Sequence, residues 1–166
     1  MDYKKYIREM KTKNRCDLTL LLANFKVLDN LIKDMARPFL HSKIDKVVAL
    51  EAMGFIFGTG VARELKAGLC LIRKPNKIAW STESIDFTDY TKQRKCFEIA
   101  KSAILPNEKV LIVDDWSETA SQLKAAIFLV EQAKGIIVGI SCVNIDDQAK
   151  NDKIISKYKL NSVINY

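Results

Sequence analysis

The stretch Lys109–Ala126, KVLIVDDWSETASQLKAA, constrains this chain more than any other. An apolar strand-like run ends in two adjacent carboxylates, Asp114 and Asp115, and passes through a hydroxyl-rich turn into a helix. Carboxylates at a strand end accept hydrogen bonds from a vicinal diol. The hydroxyls of Ser117, Thr119 and Ser121, with the free N–H groups of a helix start, hold a phosphate. The same residues admit a plainer reading, in which Asp114 or Asp115 only caps the helix, worth about 1 kcal/mol. A ribose-phosphate cradle and a simple helix start therefore both fit this segment taken alone.

The rest of the chain supplies a frame. From Val27 to Phe39 apolar residues recur at helical spacing up to Pro38, and KVVALE (Lys46–Glu51) reads as a buried strand. GFIFGTGVAREL follows as a helix closed by Gly68, then GLCLIR (Gly68–Arg73) as a strand. Past a polar stretch, FEIAKSAI (Phe97–Ile104) reads as helical, KVLIVDD as a central strand, TASQLKAAIFLVEQAKG as a helix and IIVGISCVN as a further strand. Such alternation predicts an α/β fold with a mostly parallel central sheet and helices on both faces, its ligands at the carboxyl ends of the strands. The chain is expected to be a single domain, residues 1–166. The N-terminal segment 1–24 and the loop 74–95, which lacks clear periodicity, form a small hood or lid over it.

Composition narrows the class. With 166 residues, 48% hydrophobic, the chain can bury one real core. The longest uncharged apolar runs, such as Ile136–Val143, are too short to span a bilayer, and the opening residues carry no apolar leader, so neither membrane nor export is expected. Cys16, Cys70, Cys96 and Cys142 form no CxxC pair, and His41 alone does not complete a zinc site; free thiols suit a reducing cytoplasmic setting. The formal charge of +7 comes from cations scattered over the N-terminal residues, the RKPNK turn and Lys92–Lys101. With few interleaved aromatics this pattern offers no recognition helix or stacking platform for nucleic acid and suits a phosphorylated small molecule better.

The strand, acidic pair, turn and helix of Lys109–Ala126 resemble the phosphoribosyl pyrophosphate signature of the type I phosphoribosyltransferases, and the likeness runs in order along nearly the whole chain. NRCDLTLLLANFKVLDNLIKDMARPF (Asn14–Phe39), KVVALEAMGFIFGTGVAREL, RKPNK (Arg73–Lys77), FEIAKSAILPNEKVLIVDD (Phe97–Asp115) and the final VINY are most similar to the adenine phosphoribosyltransferases of that family. The resemblance implies transfer of ribose 5-phosphate from phosphoribosyl pyrophosphate to a purine nitrogen, with release of pyrophosphate, Mg2+ as cofactor and a homodimeric assembly built on the GFIFG helix region. It assigns the ribose hydroxyls to Asp114 and Asp115, directly or through the water shell of the metal. The 5-phosphate falls to the loop Glu118, Thr119, Ala120, Ser121 and Gln122, and the pyrophosphate to Arg73, Lys74 and Lys77, whose plainer reading is a solvated turn. Trp116 stands where the family often has an aliphatic residue beside the base, so the indole either stacks on the purine or packs in the core.

The departures carry information of their own. Where the family usually has two glycines, this loop has Ala120 and Ser121, which serve only if those positions are helical or accept backbone strain. Met53 replaces the Arg usual before Gly in adenine enzymes. The hood lacks the expected Glu-Tyr-Gly, and the pair Asp89–Tyr90 has a different spacing and receives no role. Glu118 occupies the position where hypoxanthine-guanine relatives place a carboxylate serving the purine N7; it either handles that proton or simply favours the helix dipole. A second reading, a non-catalytic module that binds phosphoribosyl pyrophosphate or a purine nucleotide, accommodates the lost glycines equally.

Overall fold

A computed structural model of the chain describes residues 1–10, 16–89 and 91–166; Tyr90 and the N-terminal cations Lys11, Lys13 and Arg15 lie outside the described residues. A two-residue antiparallel pair, β1 (Arg8–Glu9) with β2 (Cys16–Asp17), leads into α1 (Thr19–Ala23) and α2 (Phe25–Ala36). Asn24 caps α2 by accepting the Val27 N–H at 3.2 Å, and the helix buries Val27, Leu31 and Met35 at i, i+4 and i+8. The N-terminal segment is tied to this helix, because Tyr3 donates its hydroxyl to Asp34 at 2.6 Å and both Tyr3 and Ile7 are buried.

The central sheet consists of β3 (Lys46–Leu50), β4 (Gly68–Ile72), β7 (Lys109–Ser117), β8 (Ile136–Ile145) and β9 (Lys159–Ile164), all parallel, in the order β4-β3-β7-β8-β9. Two hydrophobic cores sort along these strands by alternation, as the pleat requires. Val47, Leu111, Val113 and Val143 face α2 and α3 (Gly54–Leu65), while Val48, Ile112, Ile140 and Cys142 face α4 (Ser121–Gln132). Gly58 lets α3 lie directly on β3, since a Cβ there would stand 2.5 Å from the Ala49 Cβ. Among the described residues no helix is long and apolar enough to cross a membrane.

Two expectations are corrected between β4 and β7. The stretch 74–95 is not an unbroken loop: it contains β5 (Thr82–Thr88), whose residues alternate in burial. Phe97–Ile104 is not a helix: its first half, Phe97–Ala100, belongs to the strand β6 (Arg94–Ala100), paired antiparallel with β5 in register Ile85↔Phe97, and its second half is a turn. The reason is packing. Phe97 and Ile99 are buried against the α4 side of the sheet, and Phe87 meets Phe97 with ring centroids 4.8 Å apart, so a hairpin buries apolar area that an isolated turn of helix would leave exposed.

Candidate active site

The sheet order reverses between β3 and β7, because β3 continues outward to β4 while β7 continues the other way to β8. In open α/β sheets a crevice forms beyond the carboxyl ends of the strands at this point. Ala49 pairs with Val113 and β3 ends one residue later, so Glu51–Met53 lie beside Asp114–Asp115, where β7 outruns β3 while still paired with β8. They open on a cleft of about 1050 Å³, whose other walls are Met10 and Cys16, the β5–β6 hairpin at Asp89, Thr91 and Gln93–Phe97, Lys74, and Trp116 with Glu118 and Gln122.

The acidic pair lies at the floor. Asp114 is 4% exposed and its Oδ1 accepts the Asp115 N–H at 2.9 Å; Asp115 is half-buried. Burial, followed by the adjacent Asp115 carboxylate, pushes the Asp114 carboxyl well above the usual carboxylate range. Gly54, the first residue of α3, permits this approach, for a Cβ on it would stand 2.8 Å from Asp114 Oδ1. Two crowded carboxylates at the end of a cleft favour whatever brings donors or positive charge to them, such as a diol or the water shell of a cation.

Beyond the pair, Trp116–Gln122 curl around a dimple of about 10 Å³. Strand β7 runs on to Ser117, which is buried, and its carbonyl accepts the Asp146 N–H at 2.9 Å. Ala120 adopts the left-handed region at φ 61°, and Ser121 begins α4. The missing glycines are thus accounted for position by position: Ser121 is already helical, and Ala120 accepts strain of about 1 kcal/mol or more while its methyl packs in the core. Thr119 and Ser121 hydroxyls lie 3.0 Å apart, and the first-turn amides of α4 have no intrahelical acceptor.

The basic turn divides. Lys74 lines the cleft, whereas Arg73 and Lys77 sit behind it on Glu51. Glu51 Oε1 accepts from Lys77 Nζ at 2.6 Å, Oε2 accepts the Lys74 N–H at 3.0 Å, and Arg73 Nε lies 3.5 Å away. Burial alone would raise the Glu51 carboxyl, but the Lys77, Lys74 and Arg73 groups together hold it below its ordinary value. A second carboxylate, Glu98, accepts the Lys77 N–H at 3.1 Å. Trp116 lies on the cleft wall with its indole N–H donated to Asp146 at 3.2 Å.

Sequence reading missed Glu51 and Asp146, although each had a signal. Glu51 closes a strand at the sheet edge that β7 shares. Ile145-Asp146-Asp147 repeats at the end of β8 the apolar-Asp-Asp pattern of Val113-Asp114-Asp115.

Residues 20–165 match the family model described as the phosphoribosyl transferase domain. The chain belongs to that family. It is 38% identical over 151 residues to the adenine phosphoribosyltransferase of Rhodopirellula baltica, covering 90% of this chain and 72% of that one. The crystal structure of adenine phosphoribosyltransferase from Thermoanaerobacter pseudethanolicus superposes with a TM-score of 0.92 at 30% identity, over 99% of this chain and 98% of that one. The structure of APRTase from Giardia lamblia complexed with 9-deazaadenine gives 0.91 at 28%, over 99% and 96%.

Proposed function

We propose that this chain transfers ribose 5-phosphate from phosphoribosyl pyrophosphate to a purine, with adenine the favoured acceptor, and releases pyrophosphate in purine salvage. The observation that carries this reading is the acidic pair Asp114–Asp115 followed directly by the hydroxyl- and amide-lined turn of Trp116–Gln122, both on one cleft at the switch point of the sheet. Asp114 and Asp115 accept the ribose hydroxyls. The amides and hydroxyls of Glu118–Gln122 receive the 5-phosphate, and Lys74 meets the pyrophosphate, with Arg73 and Lys77 reaching it only by leaving Glu51. Breaking the glycosidic bond builds positive charge on the ribose and negative charge on the leaving group, so preplaced cations at the pyrophosphate end lower the barrier.

The carboxylate pair also fits magnesium, a hard cation commonly held by one or two carboxylates together with substrate phosphates. When bound, magnesium neutralises charge on the pyrophosphate oxygens. The four cysteines are free thiols, consistent with a cytoplasmic setting. On α3, Ile56 is 42% exposed, and with Leu20 and Phe25 also exposed it supports a homodimer; sedimentation equilibrium at micromolar protein is expected to give twice the chain mass, and a monomer would refute the pairing.

Pyrophosphate release from phosphoribosyl pyrophosphate and magnesium tests the activity, with adenine, hypoxanthine, guanine and xanthine supplied singly beside a no-base control. Release with adenine is the expected result. Silence with every base, in folded protein, would leave binding without transfer. Glu118 lines both the cleft and the dimple, within the wall a purine would approach. As the group that handles the N7 proton it predicts that Glu118→Gln lowers turnover about 100-fold with nucleotide binding retained. Unchanged turnover across the pH range would leave Glu118 only its place at the helix start.

A further inference from the structure

Trp116 is more firmly held than a cleft-lining aromatic needs to be. Its indole N–H donates to Asp146 Oδ1 at 3.2 Å, and the same oxygen accepts Asn144 Nδ2 at 2.6 Å. Asn144 is 1% exposed, and its own Oδ1 accepts the Tyr166 N–H at 3.1 Å. The Tyr166 ring then returns to the indole at 69°, with centroids 5.4 Å apart, and Lys4 Nζ lies 5.8 Å from the centre of that ring. Three elements thus meet on one side chain: the end of β7 supplies Trp116, the end of β8 supplies Asn144 and Asp146, and Tyr166 follows β9. None of these partners except Trp116 itself lines the cleft. Their side chains reach whatever occupies it through the ring. With its single donor committed to Asp146, the indole offers a bound base a rigid π surface and no hydrogen bond.

We propose that Asp146 is a positioning residue for the purine: by accepting the Trp116 N–H, it fixes the indole against Tyr166 as the stacking wall for the base and so sets affinity for the base separately from affinity for phosphoribosyl pyrophosphate. This rests on the transfer reading above. Loss of one such bond to a charged acceptor corresponds to about tenfold. Asp146→Ala is therefore expected to raise the KM for adenine about tenfold while moving the KM for phosphoribosyl pyrophosphate less than about twofold. Asp146→Asn, which keeps an acceptor oxygen, restores most of the loss.

A double-mutant cycle with Trp116→Phe, which keeps a ring and removes the N–H, separates positioning from general support of the fold. In the Trp116→Phe background, Asp146→Ala is expected to change the adenine KM less than about twofold, because the bond through which it acts is already gone. An equal loss in both backgrounds would overturn the proposal, as would an adenine KM unaffected by Asp146→Ala. A second readout needs no turnover. The only other tryptophan is the exposed Trp80, so in Trp80→Phe protein the emission reports Trp116. Adenine added with phosphoribosyl pyrophosphate present and magnesium withheld, so that transfer does not run, is expected to quench that emission, and Asp146→Ala to shift the quench midpoint about tenfold. Turnover with adenine but no quench would overturn the stacking wall and leave the transfer reading standing. Absence of turnover with every purine would overturn the transfer reading, and the proposal with it.

Discussion

Replacing Asp114 with Asn is expected to slow transfer about 1000-fold and to make the protein more resistant to heat. The two effects have one cause. Asp114 is 4% exposed, and burial followed by the Asp115 carboxylate pushes its carboxyl well above the ordinary range. A carboxyl whose folded-state pKa is raised binds more protons in the native chain than in the unfolded one, so stability falls as pH climbs from about 4 through the raised value. Asn keeps the oxygen that accepts the Asp115 N–H and removes the ionisation. A Tm higher by about 2–4 °C at pH 8, the shift that 1 kcal/mol produces in a chain of this size, is the expected result. The gain shrinks toward pH 4, where the native carboxyl is protonated anyway. Activity moves the other way, since two charge-assisted bonds to a ribose diol, about 1.5–3 kcal/mol each, give way to weaker ones and cost about 1000-fold in kcat/KM. Thermal melts from pH 4 to pH 8 beside pyrophosphate release read both. A Tm that drops at pH 8 would mean that the ionised carboxylate is stabilised by its surroundings, and the electrostatic account of the site floor would fail.

The same residue shows what a sequence exposes and what it conceals. That Asp114 and Asp115 lie near the end of a central strand was legible, because a short β-branched run bounded by polar residues reads as a strand buried on both faces; the strand itself runs two residues further, to Ser117. The parallel sheet with helices on both faces followed from the same periodicity, and the structure has that architecture. The hairpin was not legible from FEIA, a short apolar run that fits a helix or a strand equally until its partner is known. That partner lay in Ser84-Ile85-Asp86-Phe87-Thr88, whose strict alternation is a strand signal hidden inside a polar stretch. The loop Thr119–Gln122 was legible as a phosphate turn but not in its backbone, because left-handed geometry at Ala120 contradicts the local preference of alanine and is imposed by packing of its methyl in the core. Glu51 and Asp146 escaped for a different reason. Their places at strand ends were visible, but the contacts that give them work, Glu51 to Lys77 and Asp146 to Trp116, join residues more than twenty positions apart and are set by the fold.

Removing Glu51 is expected to weaken the fold as well as the site. Its side chain is 7% exposed, and it joins the β3 edge to the basic turn through Lys77 Nζ, the Lys74 N–H and Arg73 Nε. The Lys77 pair alone contributes little, because that ammonium is 45% exposed and well solvated. The larger part comes from the other two groups. Arg73 Nε is buried and makes no hydrogen bond, with Glu51 as its counter-charge at 3.5 Å, and the Lys74 amide has its acceptor in the same carboxylate. Truncation to Ala leaves Arg73 Nε without its counter-charge, while water takes the exposed Lys74 N–H, which predicts a loss of about 1–3 kcal/mol and a Tm lower by about 2–10 °C. Because the turn carrying Lys74 loses one of its tethers and keeps only those to Glu98, the KM for phosphoribosyl pyrophosphate is expected to rise about tenfold, with adenine affinity little changed. Glu51→Gln keeps an acceptor without the charge and should fall between. The pH dependence fixes the sign: a carboxyl held below its ordinary value contributes stability above about pH 4 and loses it as pH falls through the depressed value. The gap between the native chain and Glu51→Ala in thermal melts should therefore narrow from pH 7 to pH 3. A gap constant over that range would assign the clamp to packing of the side chain, and its charge would have no part in holding the turn.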